Sequence, residues 1–246
     1  MPGAAGAQGA WRLALGLACF AVAYGVLSLA VVPPLARLGG RVPLQCFAGD
    51  AAPYQAVSPL FCAANRHYVA PEVRMMVEAL AQGLAARYPG TVVQYLDAGL
   101  PFVDGFPLVP HLSHDDGGKI DLAYFYQDGD GAYVPGLHRW PIGYWAFEQP
   151  LPGARLPCAG MAAGFTLRWD MGWLQPLLPA HPVDTPRMVA MLAWLLNQGT
   201  AAGVRTVLLE PHLADRWQVG GAALRFQGCR AARHDDHVHV SVNLRR

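Results

Sequence analysis

The hydrophobic pattern changes character along the chain. Residues 13–32, LALGLACFAVAYGVLSLAVV, are apolar and uncharged without interruption and end at Pro33-Pro34. Residues 39–59 are rich in Gly, Pro and Ala, without a period. A helical rhythm follows in PEVRMMVEALAQGLAARYPG. Val73, Met76, Val77, Leu80 and Leu84 fall on one face, Pro71 suits the first turn, and Pro89-Gly90 ends the run. Short β-branched stretches predict strands in TVVQYLDAG from Thr91, KIDLAYFY at 119–126, VRTVLLE at 204–210 and HVHVSVNL at 237–244. A second helix is predicted from Asp184 or Thr185 as cap, with Pro186 in its first turn, through MVAMLAWLLNQG to a stop at Gly199. Residues 129–182, full of Gly, Pro and Trp, predict long loops that wall a cleft.

This order predicts an α+β domain with a mainly antiparallel sheet and its helices on one face. With 246 residues, 53% of them hydrophobic, the chain can bury one substantial core. The expected divisions are an N-terminal tail and apolar helix over 1–38, a linker over 39–60 and one domain over 61–246. Lys and Arg total 18 against 17 acidic residues, which gives no electrostatic case for nucleic acid as partner.

Residues 13–32 would span about 30 Å as a helix, the thickness of a bilayer's hydrocarbon core. A single-pass membrane anchor is the expectation, with a cleaved signal peptide or a buried core helix as the other readings of this stretch. The flanks disagree with the cysteines about orientation. Arg12 precedes the span and Arg37 and Arg41 follow it, slightly against export of the C-terminal part. Cys19 lies inside the span, leaving an even set of Cys46, Cys62, Cys158 and Cys229 outside it. Pairing of Cys46 with Cys62 and of Cys158 with Cys229 is preferred among three possibilities, and free thiols in a reduced compartment are the alternative.

Two clusters concentrate the candidate chemistry. HLSHDDGGKIDLAYFY, 111–126, precedes and enters a strand, and HDDHVHV, 234–240, lies near the C-terminus. Residues two apart in a strand share a face, so His237 and His239 present both imidazoles to one side. His114 sits before Gly117-Gly118, which permits a tight turn towards Asp121. Two imidazoles and a carboxylate can hold a zinc ion and leave a fourth position for water, whose pKa would fall to about 7. Asp115, Asp116 and Asp235 are close enough in sequence to support the ligating histidines. His111 reads as a loop residue, and QDGDGAY, with Asp128 and Asp130, as a solvated hairpin turn rather than a calcium loop. Trp140, Trp145, Trp169 and Trp173 could line a groove, whereas Trp194 reads as helix core.

His114, six intervening residues and Asp121, followed far downstream by His237-Val238-His239, resembles the signature of the zinc metallopeptidases grouped with lysostaphin, the D-Ala-D-Ala peptidases and the hedgehog fold. Within that group, SHDDGGKIDLAYF together with RHDDHVHV looks most like the penicillin-insensitive murein endopeptidases. The motif covers about twenty residues, and the anchor, linker and Trp-rich middle have no counterpart in it. The resemblance implies His114, Asp121 and His239 as zinc ligands. It implies an unliganded His237 acting on water or the oxyanion, His234 as a further active-site histidine, and Asp236 at the place of a glutamate base, although the shorter Asp reaches less far.

The resulting expectation is a zinc-dependent hydrolase of an amide bond in cell-wall peptide. It would be held in a bacterial inner membrane with its domain in the periplasm or cell exterior. A catalytically inactive relative that keeps the metal site as a recognition module is the alternative. The two differ in whether an open coordination position lies beside a proton-transfer group.

Overall fold

The computed structural model describes residues 4–106, 108, 112–161 and 166–245, and side chains from residue 8 onward. His111 lies outside the described residues. The chain begins with helix α1, Ala4–Val26, a π-helical turn, Leu27–Val31, and helix α2, Val32–Leu38, continuous with one another. Gln8–Leu38 is long and apolar enough to cross a membrane, and its apolar window has none of its residues buried against protein. Strand β1, Val42–Pro43, pairs antiparallel with β3, Tyr68–Val69. Between them come β2, Tyr54–Ala56, and α3, Pro59–Ala63. The stretch 39–60, expected as a linker, therefore contributes two strands and the start of a helix.

Helix α4, Pro71–Arg87, buries Val73, Met76, Val77, Leu80, Ala81 and Leu84, the face its apolar spacing predicts. Strands β4, Val93–Tyr95, and β5, Lys119–Ala123, follow. Among the described residues of 129–182 there is one isolated bridge, Tyr133 to Gln127, and a 3-10 turn at Gln175–Leu177, in keeping with the loops expected there. Helix α5, Thr185–Leu196, is capped by Asp184, whose carboxylate accepts the Arg187 N–H at 3.1 Å. The stop expected at Gly199 is displaced: the chain breaks at Asn197 and winds α6, Gln198–Ala201, through Gly199, and the reversal occurs at Gly203, with φ +92°. Gly199 is buried against Trp194 and Val204, where an added Cβ would meet the Val204 methyl at 3.0 Å and the Trp194 carbonyl at 3.3 Å. Strand β6, Val204–Leu208, helix α7, Pro211–Arg216, strand β7, Leu224–Arg225, and strand β8, His237–Val242, complete the chain.

Six strands form one sheet in the order β2-β4-β5-β8-β6-β7. Its centre is antiparallel, and the outer pairs β2/β4 and β6/β7 are parallel. The alternation of β8 explains the two faces. Val238, Val240 and Val242, with Ile120 and Leu122 of β5, enter the core shared with α4 and α5. His237, His239 and Ser241 must then point the other way, as Asp121 and Ala123 do on β5. A smaller cluster of Phe61, Leu96, Ala123 and Tyr144 forms on that second face.

Disulfides join Cys46 to Cys62 and Cys158 to Cys229, the expected pairing, and Cys19 is free. The second closes a 71-residue separation and the first a 16-residue one. In the chain-entropy account these are worth about 4 and about 3 kcal/mol. Replacing Cys158 and Cys229 by Ser should therefore cost the larger amount in chemical denaturation, and equal stability of the two double variants would contradict that ordering.

Burial pushes the pKa of His67 and of His138 down to about 4, with a Phe61 backbone contact partly opposing it at His67. Both rings are thus neutral when folded down to about pH 4, whereas in the unfolded chain they take up a proton near 6.5. The unfolded state then binds more protons, so their contribution is complete above about pH 6.5 and is lost as pH falls towards 4, at about 1.4 kcal/mol per pH unit for each ring. His138→Gln should flatten stability measured across that window; an unchanged slope would show that His138 is protonated in the fold.

Candidate metal centre

The centre is assembled by strand register. Asp121 of β5 stands directly opposite His239 of β8, and Ala123 stands opposite His237. Facing residues in an antiparallel pair have Cβ atoms about 5 Å apart, so Asp121 and His239 share one spot on the second face of the sheet. The small side chain of Ala123 leaves room beside His237. His114 arrives from the turn before β5, where Gly117 adopts φ +71°. The positive φ favours glycine at Gly117, and a Cβ there would also push the Arg41 guanidinium aside.

The three expected ligands converge and are buried. His114 Nε2 lies 3.0 Å from His239 Nδ1 and 3.2 Å from Asp121 Oδ1, and His239 Nδ1 lies 2.8 Å from Asp121 Oδ1. Around a tetrahedral ion with bonds of about 2.0–2.1 Å, neighbouring ligand atoms sit roughly 3.3 Å apart. The observed triangle is slightly smaller, and a few tenths of an ångström of expansion would admit an ion. His114, Asp121 and His239 can thus bind a metal ion.

The atoms behind the triangle orient it. His114 Nδ1 donates to the Ala98 carbonyl at 2.7 Å, which leaves the Nε2 lone pair of a neutral ring facing inward. Asp121 Oδ2 accepts the Tyr144 hydroxyl at 2.7 Å, and that hydroxyl in turn accepts the Asp97 N–H at 3.0 Å. His239 Nε2 lies 3.3 Å from the Ser241 hydroxyl. Asp115, Asp116 and Asp235, the partners expected from proximity in sequence, are engaged elsewhere: Asp115 and Asp116 pair with Lys119, and Asp235 with Arg233. A backbone carbonyl, a tyrosine and a serine do what the aspartates were expected to do.

His237 is fully buried beside this group. Its Nδ1 bonds Asp236 Oδ1, and its Nε2 lies 3.7 Å from Asp121 Oδ1. The other oxygen of Asp236 accepts the Trp145 N–H. Trp145 holds a positive φ of +66°, a backbone strain of about 1–3 kcal/mol for a bulky residue, so that its amide meets Asp236. The His234 ring centre is 5.0 Å from that of His237 and 5.7 Å from that of His239. Its backbone is fixed by Glu210, which exchanges bonds with both its N–H and its carbonyl, while Arg168 clamps the Glu210 carboxylate at 2.8 and 2.9 Å. All six expected site residues therefore gather in one place. Sequence reasoning missed Tyr144 and Ser241; Trp145 was expected as a groove-lining residue and does line the cleft with Trp169, but its backbone bond to Asp236 was not foreseen. Ser241 was legible as the next residue on the His237-His239 face, whereas Tyr144 and Trp145 sit in a loop with no periodic signal.

Burial opposes a charge on His237, yet the carboxylates of Asp121 and Asp236 outweigh it and hold its pKa up to about 9. Burial also opposes a charge on His114, and Asp121 again outweighs it. For His239 burial wins and the pKa falls to about 4, the bond to Asp121 notwithstanding. The pattern is that of a negative, desolvated spot that attracts one positive charge, whether a proton or a cation. A narrow cleft lined by Tyr144, Trp145, Phe147, Trp169, Arg233, Asp236 and His237 reaches the His237–Asp236 pair, with about 20 Å³ of free space. A larger cavity of about 340 Å³, lined among others by Arg168, Glu210, His212 and the Cys158 turn, adjoins it across Arg233.

If Tyr144 and Ser241 orient the ligands, Tyr144→Phe and Ser241→Ala should each weaken metal affinity by about 10–100-fold, measured by competition with a chromophoric chelator. Unchanged affinity in both variants would remove the supporting role from these hydroxyls.

In comparison with known proteins, no family model matches the chain, and no curated protein matches it either.

Proposed function

We propose that the chain is a membrane-anchored zinc peptidase whose domain cleaves an amide bond in bacterial cell-wall peptide. The observation that carries this reading is the juxtaposition of two unlike sets of groups on one sheet face. A triangle of His114 Nε2, Asp121 Oδ1 and His239 Nδ1 suits one zinc ion, and a His237–Asp236 pair stands beside it without belonging to it. A purely structural zinc site would favour a fourth protein ligand, commonly cysteine, and both cysteine pairs are consumed in disulfides. The resemblance of SHDDGGKIDLAYF and RHDDHVHV to the murein endopeptidases supplies the substrate class, and the same resemblance suggests the hedgehog/D-Ala-D-Ala peptidase fold for the α+β domain.

When bound, zinc would supply Lewis acidity to activate water and polarise a carbonyl. The remaining work falls to side chains of this chain. Asp236 accepts the Nδ1 proton of His237 and fixes its tautomer, so that Nε2 faces the reacting position, where it can move a proton or donate to an oxyanion. Asp236 thus takes the place of an orienting group; its position behind His237 does not favour the base role that the resemblance suggested. His234 flanks both histidines, in keeping with the further active-site histidine that the resemblance implies. Trp145 and Trp169 wall the approach and exclude water. The apolar N-terminal helix would hold the domain at the inner membrane, and the two disulfides favour the periplasmic or exterior side.

One observation favours a second reading, a metal-binding recognition module without turnover. About 20 Å³ beside His237 admits a single water, so substrate would have to displace the Trp145 and Trp169 walls. The two readings separate on purified, cross-linked peptidoglycan. The peptidase reading expects muropeptide release that a chelator abolishes, loss of turnover with retained zinc in His237→Ala, and loss of both in His114→Ala. Bound zinc with no product from the wild-type chain would transfer the assignment to the recognition module, and full activity of His237→Ala would remove that residue from the chemistry.

A further inference from the structure

Arg233 stands between two cavities. It lines the narrow cleft that reaches the His237–Asp236 pair and also the larger cavity of about 340 Å³. Its guanidinium is held from two directions. Nε and Nη2 donate to the two oxygens of the buried Asp235, and the central carbon lies 4.0 Å from the centre of the buried Phe147 ring. A guanidinium fixed in this way presents its remaining donors in a set direction, with little further side-chain freedom to lose on binding.

The third nitrogen, Nη1, donates to Asp170 Oδ1 at 2.9 Å. Asp170 lines the larger cavity and its side chain is 67% exposed. An ion pair to so exposed a carboxylate adds little stability, so a competing carboxylate can take its place. Arg168 of the same cavity differs: both of its terminal nitrogens are committed to the buried Glu210, which in turn fixes the His234 backbone. The cavity walls set Arg168 and Arg233 against Asp170, Glu210 and Asp235. Exchange of Asp170 for the carboxylate of a ligand leaves that balance unchanged, whereas an ammonium group in the same place would meet the Arg233 guanidinium.

We propose that Arg233 is a clamp for a substrate carboxylate and that Asp170 occupies it as an internal stand-in. The ligand is a peptide with a free carboxylate close to the amide bond that it presents to His237. A guanidinium carries five N–H groups. The contacts to Asp235 and Asp170 use three of them. A ligand carboxylate can therefore engage both terminal nitrogens as a fork, where Asp170 accepts from one. Asp170 directly follows Trp169, a wall of the His237 cleft, so the exchange acts on the segment that substrate has to displace. The proposal rests on the peptidase reading for its substrate class.

The test is calorimetric binding to the zinc-loaded full chain in detergent micelles, with His237→Ala present so that binding is read without turnover. The probes are a cross-linked muropeptide dimer with free carboxylates and the same dimer with its carboxylates converted to methylamides. The methylamide dimer should bind about 10–100-fold more weakly. Asp170→Asn should tighten the acid dimer by roughly 2–5-fold and leave the methylamide dimer unchanged. Arg233→Lys, which keeps the charge and loses the fork, should remove most of the preference. Comparison of the two dimers needs no change at Arg233, so it decides even where that substitution unfolds the chain. Equal affinity for the two dimers, or weaker acid binding in Asp170→Asn, would overturn the clamp and leave Asp170 as a pin for the Trp169 segment. Binding of neither dimer, with chelator-sensitive release of muropeptides from peptidoglycan by the wild-type chain, would overturn the clamp and leave the peptidase reading standing. Binding of neither dimer and no release would overturn both.

Discussion

The register between β5 and β8 is the constraint on which the rest depends. Because Asp121 faces His239, the same pairing that buries Ile120 and Leu122 against Val240 and Val238 also places a carboxylate and an imidazole on the opposite face. A slip of one residue would turn the histidines into the apolar core and the valines towards the cleft. Core packing under α4 and α5 and the geometry of the metal centre are thus one constraint seen from two sides. The hydrophobic face holds the register, and the register holds the ligands.

What the sheet does not supply comes from less regular chain. His114 depends on the Gly117 turn, whose positive φ favours a residue without Cβ. Tyr144 and Trp145 reach in from the long loops, one bonding Asp121 and the other bonding Asp236 through a strained backbone amide. Strain of this kind persists where surrounding contacts over-determine it, here through Gln175, whose side chain bonds the Trp145 carbonyl at 2.7 Å and the Phe147 N–H at 3.1 Å.

The legible part of the sequence was the part with a period. The buried faces of α4 and β8, the Asp184 cap and the gathering of His114, Asp121, His234, Asp236, His237 and His239 all follow from spacing or motif. Short elements such as β1, β2, β3, α7 and β7 were not legible, because two or three residues, or a turn and a half of helix, are too few to show a period. The orienting partners of the ligands were illegible for a different reason. A carbonyl such as that of Ala98 has no side-chain signature, and Tyr144 is brought to Asp121 by tertiary folding across the sequence rather than by local spacing. The Gly199 stop failed because α6 winds through Gly199, which sits in tight packing against Val204 and Trp194, and the backbone reverses only at Gly203.

The central claim is that His114, Asp121 and His239 form one mononuclear centre built by strand register. Metal content of the full chain combined with K-edge X-ray absorption of the bound ion tests it most directly. The account predicts one zinc per chain, coordinated by two imidazole nitrogens and light oxygen atoms without sulfur, and none in Asp121→Ala. A metal held through sulfur, or a full complement of zinc in Asp121→Ala, would contradict it.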